Sequence, residues 1–217
     1  MIGPLILHED PRSANCYKIR LTAAHLRLPL ERRFYDIMKG ETRTPEFLAG
    51  VNGNGRIPVL QDGDKYLPES NAACFYLADG SSLIPTERFA RADMLRWLFW
   101  EQYSHEPNVA TVRAWLTIVG VDSLTEAQRL NLPVKREAGE AALALMDRHL
   151  AGRHWFVGKS ISLADIVLYP YTQVAGDGGF ELGKYPHVRG WLERVASQPR
   201  HLPMDAETPL AAGTLPD

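Results

Sequence analysis

The feature that most narrows the fold of this chain is a change of pattern near residue 80. Before it, short β-rich runs alternate with segments of helical spacing, and after it every apolar pattern is helical. Leu5 to His8 predicts a first strand. Ser13 to Arg27 predicts a helix, with Ile19, Ala23 and Leu26 at three- and four-residue intervals and Ser13 placed to cap it. A second strand fits Leu30 to Ile37, and Thr44-Pro45-Glu46 has the cap, proline and acid of a helix start, for a short helix ending near Gly50. Arg56 to Asp62 and Lys65 to Leu67 read as two strands joined at Gly63-Asp64. Pro58 cannot donate to a ladder and so belongs on an edge or in a special local geometry. Glu69 to Leu77 predicts a further helix, which completes a compact α/β layer.

Gly80 to Pro85 has linker chemistry. Arg88 to about Leu116 predicts a long helix rich in aromatics, among them Trp97, Trp100, Tyr103 and Trp115. Leu124 to Leu150 predicts another, with Pro133 implying a late start or a kink. Ile161 to Ile166 is the clearest local signal: Ser162 can cap the Asp165 amide while Asp165 reaches back to Ser162, and Ile161 can staple onto Ile166. A last helix fits His187 to Ser197, and 198–217 reads as an irregular tail.

Composition excludes several function classes. The 217 residues carry 24 Lys+Arg against 26 Asp+Glu, so no basic excess marks a nucleic-acid coat. Cys16 and Cys74 are too few for a disulfide scaffold, and the seven histidines lack metal-ligand spacing. No P-loop, GxSxG or HExxH occurs, and the glycines around Gly53 and Gly55 do not complete a dinucleotide fingerprint. The N-terminus lacks the pattern of a signal peptide and no apolar run is long enough for a membrane span, so the expectation is a soluble cytoplasmic protein without metal.

What remains is a constellation at strand ends and helix starts, where open α/β sheets place ligands: Ser13-Ala14-Asn15-Cys16, Ile57-Pro58 and Glu69-Ser70. Read alone, Pro58 is equally an edge proline, Glu69-Ser70 a capping pair, and Asn15 an amide that ties the turn together.

With Gly-Arg-Ile-Pro-Val-Leu, Pro-Glu-Ser-Asn-Ala-Ala and Ser-Leu-Ala-Asp-Ile, the chain resembles the glutathione S-transferase family over nearly its whole length. It is most similar to the bacterial branch whose first helix opens on Ser-Gly-Asn, with Ala14 in the middle position. The resemblance implies an α/β thioredoxin-like N-terminal domain over 1–80, a linker over 81–88 and an all-α helical C-terminal domain over 89–217 that contributes the electrophile pocket. It implies glutathione as co-substrate, a homodimer, and a cis bond before Pro58 that turns the Ile57 backbone towards the cysteinyl part of glutathione. Glu69 would meet the γ-glutamyl ammonium and Ser70 the γ-glutamyl carboxylate at a helix N-terminus. Lys39, Arg43 and Arg56 are candidates for the glycyl carboxylate, and spacing does not choose among them.

In the family a Ser, Tyr or Cys at the position of Ser13 faces the glutathione sulfur, and a hydroxyl donor there lowers the thiol pKa. Ser13 is therefore the expected catalytic residue, with Asn15 supporting the sulfur or the bound peptide. Cys16 stands where the second Cys of a CxxC would fall, but Ser-x-x-Cys lacks the first thiol, which disfavours a dithiol cycle. Tyr103, His105 and Trp115, on the long helix after the linker, are the expected lining of the electrophile pocket, Tyr103 and His105 foremost because polar tips beside Pro107 fit a helix segment facing an opening. The expected activity is attack of glutathione thiolate on a small, mostly apolar electrophile. A glutathione-dependent reductase, dehalogenase or isomerase uses the same scaffold, and a non-catalytic binding or assembly module is the reading from another class.

Overall fold

A computed structural model describes residues 4–205. These form two compact units, one of 4–81 together with 199–205, the other of 82–198.

The first unit is built on strand β1 (Leu5–Glu9), all five residues of which are buried. It lies at the centre of a four-stranded sheet ordered β2-β1-β3-β4, with β2 at Glu31–Phe34, β3 at Val59–Asp62 and β4 at Lys65–Pro68. β1 runs parallel to β2 and antiparallel to β3, and β3 and β4 form a hairpin. A parallel neighbour needs a crossover, which α1 (Ala14–Leu26) supplies. Short helix α2 (Pro45–Gly50) starts on Thr44, whose hydroxyl accepts from the Phe47 N–H at 3.3 Å, and α3 (Ser70–Ala78) follows β4 and packs on α1.

α1 departs from the simple apolar stripe read in its sequence, because Lys18, Arg20 and Thr22 are as buried as Ile19 and Ala23. Residues 199–205 pack against it. The Tyr17 hydroxyl donates to the Leu202 carbonyl, Arg20 Nη2 to the Met204 carbonyl at 2.9 Å, and Arg200 Nη1 to the His25 carbonyl at 2.8 Å. Arg20 and Arg32 both pair with the fully buried Glu9 carboxylate of β1. Residues 199–205 thus pack with the sheet unit, where the sequence reading placed them at the end of the helical domain; 206–217 lie outside the described residues.

In the second unit, α4 (Arg88–Trp100) continues through a π-turn (Glu101–His105) into α5 (Glu106–Ala114) and a second π-turn (Trp115–Gly120). The single long helix read in the sequence is therefore widened twice. Pro107 supplies a reason for the first widening, since it has no N–H to give to the carbonyl four residues back. α6 (Glu126–Leu150) starts in a capping box, with the Thr125 N–H on Gln128 Oε1 at 2.8 Å and the Gln128 N–H on Thr125 Oγ1 at 3.2 Å. Pro133 is carried inside the helix, so the late start is not taken. Gly139 of α6 lets Phe180 close in, since a Cβ there would stand 2.6 Å from the ring.

The core of this unit gathers Trp97, Phe156 and Trp191, with edge-to-face ring pairs at 4.6 and 5.1 Å. Helix α7 (Leu163–Gln173) starts at the capping box read from Ser162 and Asp165, and α8 is Pro186–Ala196. The fully buried Asp165 carboxylate does more than cap: it accepts from the Ser162 N–H and hydroxyl, the Phe156 N–H and Trp191 Nε1, each at 2.9 to 3.0 Å. Leu83, read as linker, is buried and accepts the Leu163 N–H at 2.8 Å. Among the described residues no helix is long and apolar enough to cross a membrane.

Two outcomes test this packing. Asp165→Ala strands three buried N–H donors, and chemical unfolding should show a loss of about 3 kcal/mol or more. His25, 8% exposed, is held to about 4 by burial and by the neighbouring His201 and Arg200. The unfolded chain then binds the proton more readily than the folded one, so stability is full above pH 6.5 and falls as pH drops from there towards 4. In a pH series of unfolding curves, His25→Gln should reduce the acid loss by roughly 2 to 3 kcal/mol, leaving the shares of His8, His149 and His201, which burial also holds low.

Candidate functional site

Register brings the sequence-predicted residues of the first unit to one end of the sheet. Glu9 pairs with Phe34, His8 with Val59, and Val59 with Pro68, so the C-terminal ends of β1, β2 and β4 meet the start of β3. The segments that leave or enter there carry Ser13, Lys39, Ile57-Pro58 and Glu69-Ser70.

Ser13 is the N-cap of α1, extended at φ -81° and ψ 119°, with Oγ accepting the Cys16 N–H at 3.4 Å. A hydroxyl that accepts from a helix start still has its own proton to donate, and the positive end of the helix it caps favours an anion. Cys16 lies buried behind it. Burial pushes its thiol up to about 12, against bonds from Ser13 and the Asp10 backbone, so it is not a nucleophile at neutral pH.

Glu69 occupies the left-handed region at φ 72° and ψ 110°, a conformation that a residue with a Cβ adopts only under constraint. It precedes α3, caps nothing with its side chain, and presents an exposed carboxylate with no partner among the described residues. Ser70, the first residue of α3, is buried and its hydroxyl lies 3.1 Å from Asn15 Oδ1 in the first turn of α1. Two helix N-termini are thereby tied side by side through Ser70 and Asn15.

The Ile57-Pro58 peptide bond is cis. The Ile57 backbone forms no hydrogen bond with another described residue. Of the three candidate cations, Lys39 pairs with Asp36 at 3.6 Å. Arg43 Nη1 donates to the Asn54 carbonyl at 3.0 Å and packs over Gly55, where a Cβ would stand 2.7 Å from that guanidinium. Arg56 is exposed and its guanidinium has no partner among the described residues.

The residues expected to line a second pocket do not come together. Tyr103 is 87% exposed and borders an open recess of about 380 Å³ with Trp100, Ser104 and Asn108. His105 is fully buried, with Nε2 3.1 Å from the Thr172 hydroxyl, and Trp115 is half-buried in the second π-turn, outside that recess. Residues two apart on a helical segment face opposite sides, so Tyr103 and His105 are not co-lining. Asp10, Arg12 and Asp36, which no catalytic or binding motif singles out, knit together the two loops at the site end. The Asp10-Pro11 dipeptide, a turn signature, was the available sign.

A four-stranded mixed sheet backed by α1 and α3, followed by an all-helical unit, defines a thioredoxin-like architecture with a helical domain appended. Two sequence profiles match: the glutathione S-transferase N-terminal domain over residues 3–79 and its C-terminal domain over 109–199. The chain is 30% identical to glutathione S-transferase 2 of Anopheles gambiae over 195 residues, covering 87% of this chain and 89% of that one. A crystal structure of glutathione S-transferase from Pseudomonas fluorescens superposes at a TM-score of 0.87 with 43% identity, over 94% of this chain and 100% of that one. A second P. fluorescens family member, described with two glutathione bound, reaches 0.79 with 27% identity, over 91% and 90%. The chain belongs to the glutathione S-transferase family.

Glu69 offers a direct test of stored backbone strain. Glu69→Gly trades a strained φ, worth about 1 to 3 kcal/mol, against the added freedom of glycine when unfolded, about 1 kcal/mol. Chemical unfolding should find the variant as stable as the parent or up to about 2 kcal/mol more stable. A loss of stability would show that the Glu69 side chain supports the fold instead.

Proposed function

We propose that this protein is a glutathione transferase in which Ser13 stabilises the thiolate of bound glutathione for attack on a small, mostly apolar electrophile. The observation that carries the reading is the joining of the α1 and α3 starts, with Ser13 at one, strained and unpaired Glu69 at the other, and Ser70 held to Asn15 between them. The glutathione-bound relative supports the choice of ligand.

The chemistry follows from these groups. The free Glu69 carboxylate receives the γ-glutamyl ammonium, and the α3 N-terminus receives the γ-glutamyl carboxylate, towards which the Ser70 hydroxyl turns the proton it otherwise gives to Asn15 Oδ1. The unpaired N–H and C=O of Ile57 pair with the cysteinyl residue in the manner of adjacent strands. Arg56, next to Ile57 in sequence, is the cation that gives up no existing partner on taking the glycyl carboxylate. The sulfur then lies over the start of α1, where the Ser13 O–H donates to the thiolate and lowers its pKa. The thiol proton leaves to solvent, the thiolate forms a bond to carbon, and the leaving group departs with the carbon's electron pair. Ser13-Ala14-Asn15 supports a place in the bacterial branch with a Ser-x-Asn start, and family likeness supports a cytoplasmic homodimer.

Ser13→Ala is the decisive variant. Conjugation of a general electrophilic arene should fall by on the order of ten- to a thousand-fold in kcat while calorimetry finds glutathione bound within a few-fold of the parent affinity. Unchanged turnover removes Ser13 from the chemistry. Absence of glutathione binding by the parent overturns the function, and oxidised glutathione formed without a conjugate assigns the scaffold to reduction.

A further inference from the structure

The turn that delivers Ser13 is held from outside the helix it caps. Asp10-Pro11-Arg12-Ser13 is closed by the Ser13 N–H on the Asp10 carbonyl at 3.0 Å, with Asp and Pro where tight turns favour them. The Asp10 carboxylate, 1% exposed, accepts from the Arg12 N–H at 3.0 Å, from Arg12 Nε at 2.9 Å and from Nη2 at 2.5 Å. It also accepts from the Ile37 N–H, across the gap to the segment after β2, at 3.3 Å. The same Arg12 Nη2 reaches Asp36 Oδ1 at 2.7 Å. Asp36 in turn caps the 3₁₀ turn Ile37–Lys39 by accepting the Met38 N–H at 2.9 Å, and pairs with Lys39.

One planar fork therefore spans two carboxylates, one in the Ser13 turn and one at the head of the loop that follows β2. The Arg12 and Asp36 side chains are 49% and 31% exposed, and an ion pair that open contributes little to stability. Its geometric effect is larger, since Arg12 is joined to Ser13 by a single peptide bond. Burial alone would raise the Asp10 carboxyl, but the bonds from Arg12 and Ile37 outweigh it and hold the group below the usual range. Arg12 likewise holds Asp36 low, so the bridge persists at neutral pH.

We infer that Arg12 and Asp36 are positioning residues for the transferase reaction: by bridging Asp10 to the 36–43 loop they fix the aim of the Ser13 hydroxyl at the glutathione sulfur, which neither touches. The inference rests on the reading of Ser13 as the thiolate's donor.

The test titrates glutathione bound at saturation by its ultraviolet thiolate absorbance, which reports the pKa of the sulfur. Asp36→Ala removes a negative charge, and if charge alone mattered the thiol pKa would fall. Acting through position, the same substitution raises it by about half a pH unit or more, with kcat down roughly three- to ten-fold. Arg12→Lys keeps the charge but loses the fork, and should shift the pKa upwards as well. A fall or no change with Asp36→Ala, or a parental pKa with Arg12→Lys, overturns the inference. Should Asp36→Ala fail to fold, Asp36→Asn keeps the cap acceptor while weakening the hold on Arg12, and the same sign is expected. Ser13→Ala in the same titration separates the two readings. If it leaves the pKa unmoved, the role of Ser13 itself fails; if it raises the pKa and the Asp36 variants do not, only the positioning role fails.

Discussion

The pairing of β1 with β2 on one side and β3 on the other governs everything at the site. Because β1 is parallel to β2 and antiparallel to β3, and β4 turns back along β3, chain segments separated by up to some sixty residues are delivered to the same sheet end. Burial of all five β1 residues makes that register costly to slip, since a shift by one would turn every side chain to the opposite face. The starts of α1 and α3 then need only the Ser70 to Asn15 contact to stand side by side. Partial positive charge from two helix ends accumulates where the free Glu69 carboxylate adds its own negative charge, a pattern suited to a zwitterion rather than a simple anion.

Much of this was legible because local chemistry and tertiary structure agree. The Ser13 cap, the Thr44-Pro45 start, the Ser162-Asp165 box and the β3-β4 hairpin each depend on residues within a few positions of one another. The cis bond at Pro58 was implied by family likeness and not by spacing. The features missed depend on partners distant in sequence. Nothing near Arg20 announces that it will be buried against Glu9 and the Met204 carbonyl, and nothing near Arg12 announces Asp36. Tyr103 and His105 were grouped by proximity in sequence, whereas two residues along a helical segment is nearly half a turn too many to share a face.

The helical unit shows the same contrast in another form. Its helix starts were readable, yet the two π-turns within 88–120 were not, because a widened turn keeps roughly the apolar spacing of a regular one. Asp165 had a sufficient local role as a cap, which concealed its larger one as the acceptor joining Phe156, Ser162 and Trp191. A residue that satisfies one local rule can therefore also be the centre of a core.

The covering of α1 by residues 199–205 bears on how the molecule is made. The sheet strands precede the helical unit in the chain, but Tyr17 and Arg20 cannot meet the Leu202 and Met204 carbonyls until the helical unit has been synthesised. The helical unit, contiguous in sequence, has all its partners earlier. The unit that carries Ser13 is thus begun before the helical unit and completed only after it.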